Sequence, residues 1–170
     1  MFREMRRKNQ QLAYDEAVAV LENGKTGVLA VLGDEGYPYT VPVNYVYKNG
    51  KIYLHCAKAG HKLDAIRACN KVSFCVIEQD EVLPEKLATR YRSAIAFCSA
   101  RICEADEEIY DAAKALGLKY YNNSYAVEKE ITREWAALAC IELSIEHLTG
   151  KESLDLMKKE IQLRRYSYET

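Results

Sequence analysis

Apolar and polar residues alternate along the stretch from Tyr37 to Tyr47. Tyr39, Val41, Val43, Tyr45 and Tyr47 share one face, and Thr40, Pro42, Asn44 and Val46 share the other. A period of two predicts a strand with two different faces. Lys48-Asn49-Gly50-Lys51 follows, and Asn-Gly is the pair a type I′ hairpin turn requires, because both central residues take positive φ. Ile52, Tyr53 and Leu54 return as the second strand, which ends at His55-Cys56-Ala57. Pro42 cannot donate to a ladder, so the pattern predicts a sheet edge or a bulge there.

The rest of the chain alternates strands with amphipathic helices. Residues 15–22 predict a short helix closed by Asn23-Gly24, and Thr26–Leu32 a nearly continuous apolar strand. Gly33–Gly36 reads as a turn. A helix is expected over residues 61–69, a strand over 72–78, a loop over 79–91 broken by Pro84, and a long strand over 92–103. Asp106 opens a helix whose stripe is Ile109, Ala112, Ala113 and Leu116, with Glu107 and Glu108 suited to its first turn. A further helix over 127–134 leads to Trp135, and a sixth strand spans 138–148 before a turn at Thr149-Gly150. Ser153–Lys159 predicts a last helical turn or two. Six strands, hairpin turns and flanking helices predict a mainly β chain built as a small antiparallel barrel. A single domain over residues 1–158 is expected, with a loosely ordered tail over 159–170.

Composition narrows the classes. The 170 residues carry a net charge of -1, so no global field draws the chain to nucleic acid. No apolar run is long enough to span a bilayer, and the charged start lacks a signal-peptide core. The six cysteines include no Cys-x-x-Cys pair, which argues against a zinc ribbon or a thioredoxin-like motif. A cytoplasmic protein with reduced thiols is expected.

The candidate chemistry gathers after the second strand. Ala57-Lys58-Ala59-Gly60-His61-Lys62 opens a helix, and Gly60 permits a turn other residues resist. His61 and Lys62 at the helix start read either as solvated residues or as an anion site, most often for phosphate. Cations there oppose the helix dipole, and a bound phosphate would reverse that cost. His55 reads either as a structural histidine or as a group near that phosphate, able to orient a substrate or move a proton. A metal site from His55, Cys56 and His61 lacks a fourth ligand and the usual spacing. The edge from Val41 through Pro42 and Val43 to Asn44 offers backbone groups, and one side-chain amide, to a flat ring. Ser93 is a further candidate contact. Trp135, the single tryptophan, reads as core or as a pocket wall. No GxGxxG is present, and no Ser/His/Asp arrangement is forced.

PYTVPVNYVY followed by IYLHCAKAGHK resembles the flavin-binding split-barrel proteins of the pyridoxamine 5′-phosphate oxidase-like superfamily, most closely the nitroimidazole-resistance (Nim) branch. The similarity extends to MFREMRRKNQ at the start, to Lys71–Lys86 and to Ile145–Ser153. The resemblance implies a six-stranded antiparallel split β-barrel that binds FMN, with FAD as the alternative, at the interface of a homodimer. It implies that Val41, Pro42, Val43, Asn44, His55, Cys56, Ala57, His61, Lys62 and Ser93 meet the cofactor. His55 would be the catalytic group and Trp135 would line the substrate pocket. Electrons or hydride would pass from NAD(P)H, a transient reductant, to a small and nitroaromatic-like acceptor. A flavin or haem carrier without turnover is the alternative. Oxidation of pyridoxamine phosphate needs a second basic pocket, for which the C-terminal strands offer no arginine cluster.

Overall fold

The structure is a computed structural model that describes residues 1–157. Its elements are α1 (Tyr14–Asn23), β1 (Gly27–Leu32), β2 (Pro38–Val43), β3 (Val46–Lys48), β4 (Lys51–Ala57), α2 (His61–Ala68), β5 (Lys71–Leu83), β6 (Ala88–Ile102), α3 (Asp106–Tyr120), α4 (Ser124–Glu134) and β7 (Leu138–Glu152). The class is mainly β with flanking helices, in one antiparallel sheet ordered β2-β1-β5-β6-β7-β4-β3. The described sheet has seven strands where the sequence pattern predicts six.

The added strand comes from a break. The alternation from Tyr37 to Tyr47 divides into β2, which pairs with β1, and β3, which pairs with β4. Only Asn44 and Tyr45 separate these two ends of the sheet order. Tyr45 is fully buried. Its amide donates to the Tyr120 hydroxyl at 3.1 Å, and that hydroxyl donates to the Lys25 carbonyl at 2.6 Å. Backbone groups that leave one ladder are thus satisfied by a side chain of α3 before the chain joins the next.

The hairpin at Asn49-Gly50 forms as its residues demand, with φ of 53° and 79°. Three other boundaries move. Residues 79–91 are strand rather than loop, apart from a 3-10 turn at Pro84–Lys86 and the left-handed Leu87 that follows it. Backbone pairing there overrides the polar run Glu78–Glu81. Strand β7 passes through Thr149-Gly150 to Glu152, because Gly150 accepts the Leu12 amide at 3.0 Å. A Cβ at Gly150 would lie 2.7 Å from Ala17, so the glycine is needed for close approach and not for a turn. Helix α4 begins at Ser124, where the Asn123 side chain accepts the Ala126 amide. The expected tail over 159–170 lies outside the described residues.

The chain divides into two compact units. The first comprises Met1–Gly24, Val76–Ile95 and the described residues from 148 to 157, with Leu12, Ala17, Val20 and Leu21 buried within it. The second comprises Lys25–Cys75 and Ala96–His147. There Tyr45 meets the buried Phe74 edge-on, with ring centroids 5.0 Å apart. Strands β5, β6 and β7 contribute residues to both units.

Candidate functional site

The candidate site lies in the second unit, where β4 hands over to α2. The Lys58 amide donates to the Ala137 carbonyl at 3.2 Å and ties the loop to the start of β7. Gly60 then adopts φ 136°, a conformation that penalises any side chain. Nothing lies within 4 Å of where its Cβ would stand, so this corner stays open. The Gly60 carbonyl accepts the Leu63 amide at 2.9 Å and the Asp64 amide at 3.3 Å. No side chain caps α2. The His61 and Lys62 amides therefore have no protein acceptor among the described residues.

Lys62 is half-buried and has no carboxylate within ion-pair distance among the described residues. By contrast Arg67, on the same helix, holds Asp64 at 2.9 Å. Partial burial, and then the Lys62 ammonium, hold the His55 imidazole below its ordinary 6.5. Burial pushes the Cys56 thiol up, against the opposing pull of Lys62 and Arg67. Cys56 is thus a thiol and not a thiolate nucleophile.

The other sequence candidates fall as follows. His61 turns aside from Lys62. Its ring stacks on Tyr39 with centroids 4.2 Å apart, and its Nε2 stands 3.6 Å from Asp34. Ala57 ends β4 and is exposed. Strand β2 ends the sheet order, so its outer edge has no strand partner among the described residues, as Pro42 predicts. Val41 and Val43 are half-buried, while Pro42 and Asn44 are exposed. The Asn44 amide is engaged, donating to the Lys25 carbonyl at 3.3 Å. Ser93 is half-buried on β6 within the first unit, apart from the unit that holds the rest. Trp135 closes α4 and packs against the cluster around Ala112, Ile131 and Leu138. It is not among the residues lining either cavity beside His55.

Those two cavities were not legible from the motifs. One, of about 230 Å³, is lined by His55, Cys56, Ala57, Glu134, Ala137 and Leu138. The other, of about 450 Å³, opens between α3 and α4. His55, Glu134 and Leu138 line both. The available signal was the spacing of Ala113 and Gly117, small residues four apart on one face of α3, opposite Ala126 of α4. Gly117 sits so close to α4 that a Cβ there would meet Val127 at 2.6 Å.

A second polar cluster in this unit surrounds Glu142, whose residue is 2% exposed. Its carboxylate accepts Arg101 Nη2 at 2.7 Å and Nε at 3.1 Å, Lys51 Nζ at 2.9 Å, Ser144 Oγ at 3.1 Å and Tyr53 Oη at 3.2 Å. Arg101 also binds Glu108. Burial alone raises the Glu142 carboxyl, but the bonds from Arg101, Lys51 and Ser144 outweigh it and bring the group down to about 2. Burial, and then the Glu142 charge, push the Tyr53 hydroxyl up to about 12. Among the described residues no group of three or more His, Cys, Asp or Glu is placed to hold a metal ion.

Comparison with known proteins follows the same lines. The family model described as pyridoxamine 5′-phosphate oxidase matches residues 14–152. No curated protein sequence matches the chain. Solved structures share the fold at low identity. A conserved hypothetical protein of Mycobacterium tuberculosis, Rv2991, is similar with a TM-score of 0.77 at 17% identity, over 90% of this chain and 92% of that one. A Bacteroides thetaiotaomicron protein assigned to 5-nitroimidazole antibiotic resistance gives 0.70 at 19% identity, over 84% and 86%. An FAD and haem binding protein of Mycobacterium smegmatis gives 0.69 at 20% identity, over 85% and 74%. With its family match running through nearly every described element, the chain belongs to the pyridoxamine 5′-phosphate oxidase-like family.

Proposed function

We propose that this chain is a flavin-dependent oxidoreductase that binds FMN, with FAD as the alternative, and works as a homodimer with the flavin at its interface. The observation that carries this reading is Lys62: among the described residues, a half-buried cation with no carboxylate in ion-pair distance, beside two helix-start amides with no protein acceptor. A phosphate supplies the missing charge and accepts both amides, so the residues present fit the group. The outer edge of β2 at Val41–Val43 offers backbone groups to the ring's polar side. The tilt of His61 onto Tyr39 leaves Lys62 as the cation nearest His55 and Cys56. Ser93 adds a hydroxyl from its own or the partner subunit.

When bound, the flavin supplies transfer of electrons or hydride between a reduced nicotinamide and a small acceptor. His55 stays neutral at ordinary pH, and at the cavity mouth it positions the acceptor or moves a proton. The Bacteroides relative favours a nitroaromatic acceptor. The Mycobacterium smegmatis relative, which binds FAD and haem, favours a carrier as the second reading. The visible spectrum of the purified protein under anaerobic conditions separates them. A yellow chromophore that bleaches on adding NADH or NADPH supports the oxidoreductase. A haem Soret band, or a flavin that never bleaches, contradicts it.

A further inference from the structure

The α3–α4 cavity is wider than a packing flaw. Its volume of about 450 Å³ falls inside the range of about 300–1,000 Å³ typical of small-molecule sites. Ala113 and Gly117 of α3 and Ala126 of α4 line it, while Leu116, Ile131 and Leu138 supply apolar walls. A flat apolar body suits such a slot, since close-packed walls reward every contact made. The polar lining is His55, Tyr121, Glu130 and Glu134. Between the two carboxylates stands Arg133, bound to both Glu130 and Glu134, which leaves the rim with one net negative charge.

We infer that this cavity is the acceptor site, and that it takes flat aromatic compounds of one or two rings that are neutral or cationic while rejecting carboxylates. The inference rests on the oxidoreductase reading only for the word acceptor; the binding preference stands on the cavity itself. His55 and Leu138 line both this slot and the smaller cavity beside Cys56 and Ala57, so a ring seated here reaches the end of β4. The acidic rim also separates substrates. A nicotinamide nucleotide carries several phosphate charges, and the rim repels them. The same rim attracts an ammonium group.

Three isosteric probes test this on the full chain as purified: 2-naphthylmethylamine, 2-naphthalenemethanol and 2-naphthoate, followed by calorimetry without any reductant. The amine is expected to bind at least as tightly as the alcohol, and about tenfold or more tighter than the carboxylate. Ala126→Trp fills the slot and is expected to weaken all three about tenfold or more while flavin content holds. The Glu130→Gln/Arg133→Gln/Glu134→Gln triple variant removes every charge of the rim, keeps the shape and is expected to bring the three affinities within about twofold. These surface changes do not threaten the fold, so they decide the matter if Ala126→Trp fails to fold. Carboxylate binding equal to or tighter than amine binding, or Ala126→Trp binding like the parent, overturns the inference. Retained flavin with no probe binding also overturns it. Probe binding in the expected order by a protein that holds no flavin leaves the cavity assignment standing and sinks the oxidoreductase reading instead.

Discussion

The two charged clusters of the second unit are built from the same kinds of residue and do opposite things. Around Glu142 every charge is answered: Arg101 and Lys51 meet the carboxylate, Tyr53 and Ser144 complete it, and Glu108 takes the rest of Arg101. Around Lys62 nothing answers the charge, and the neighbouring helix amides are equally unmet among the described residues. A satisfied buried network fixes register and orientation within a fold. Groups without a protein partner take another one, water or a ligand. The difference teaches where to look: the Glu142 ion pairs tie strands of the scaffold together, while Lys62 has no carboxylate partner among the described residues, and the proposed phosphate site rests on that.

The contrast breaks most visibly at Glu142. Glu142→Ala leaves Arg101 and Lys51 without their shared partner and is expected to cost about 3–5 kcal/mol in urea unfolding, with flavin affinity of the folded fraction unchanged. The native carboxyl titrates at about 2 against an ordinary 4.5, so its stabilisation is present above pH 4.5 and is lost as pH falls through that window toward 2. Glu142→Ala should flatten that part of the acid-unfolding curve. A variant as stable as the parent would show that the network holds nothing together.

A smaller effect is expected at the sheet break. Tyr120→Phe removes the hydroxyl that serves Tyr45 and the Lys25 carbonyl, at a cost of about 1–3 kcal/mol. Hydrogen exchange at the Tyr45 amide should quicken while exchange along β7 does not. Uniform loss of protection would mean the break has no local anchor.

The smallest effect is a titration. In the native protein the His55 imidazole should titrate below 6.5 by NMR, and Lys62→Met should move it part of the way back up, since the ammonium is the second cause of the depression. No movement would place Lys62 too far away to share a site with His55.

These regions also differ in how plainly the sequence announces them. Asn49-Gly50, Pro42 and Gly60 carry backbone demands that few other residues meet, so the tight turn, the sheet edge and the start of α2 were legible. The break at Asn44-Tyr45 was not. Its alternation continues unbroken through two strands, and the residue that anchors the switch, Tyr120, lies 75 positions away. Polar Glu78–Glu81 disguises the end of β5, because backbone pairing ignores side-chain polarity. Glu142 is a carboxylate within a strand and is nevertheless buried, a result only its partners on β4 and β6 explain. The Lys62 loop stands out in the sequence because charge against a helix dipole is a local contradiction. The α3–α4 cavity was not, because small residues that leave a gap look the same in sequence as small residues that fill one.

The most direct test of the central claim compares FMN with riboflavin on Lys62→Met. Methionine keeps the aliphatic stem and removes only the charge, and each charge-assisted bond to phosphate is worth about 1.5–3 kcal/mol. The account predicts that FMN affinity falls by about one to two orders of magnitude while riboflavin affinity, which has no phosphate to lose, barely moves. Equal losses for the two ligands, or no loss for either, would contradict it.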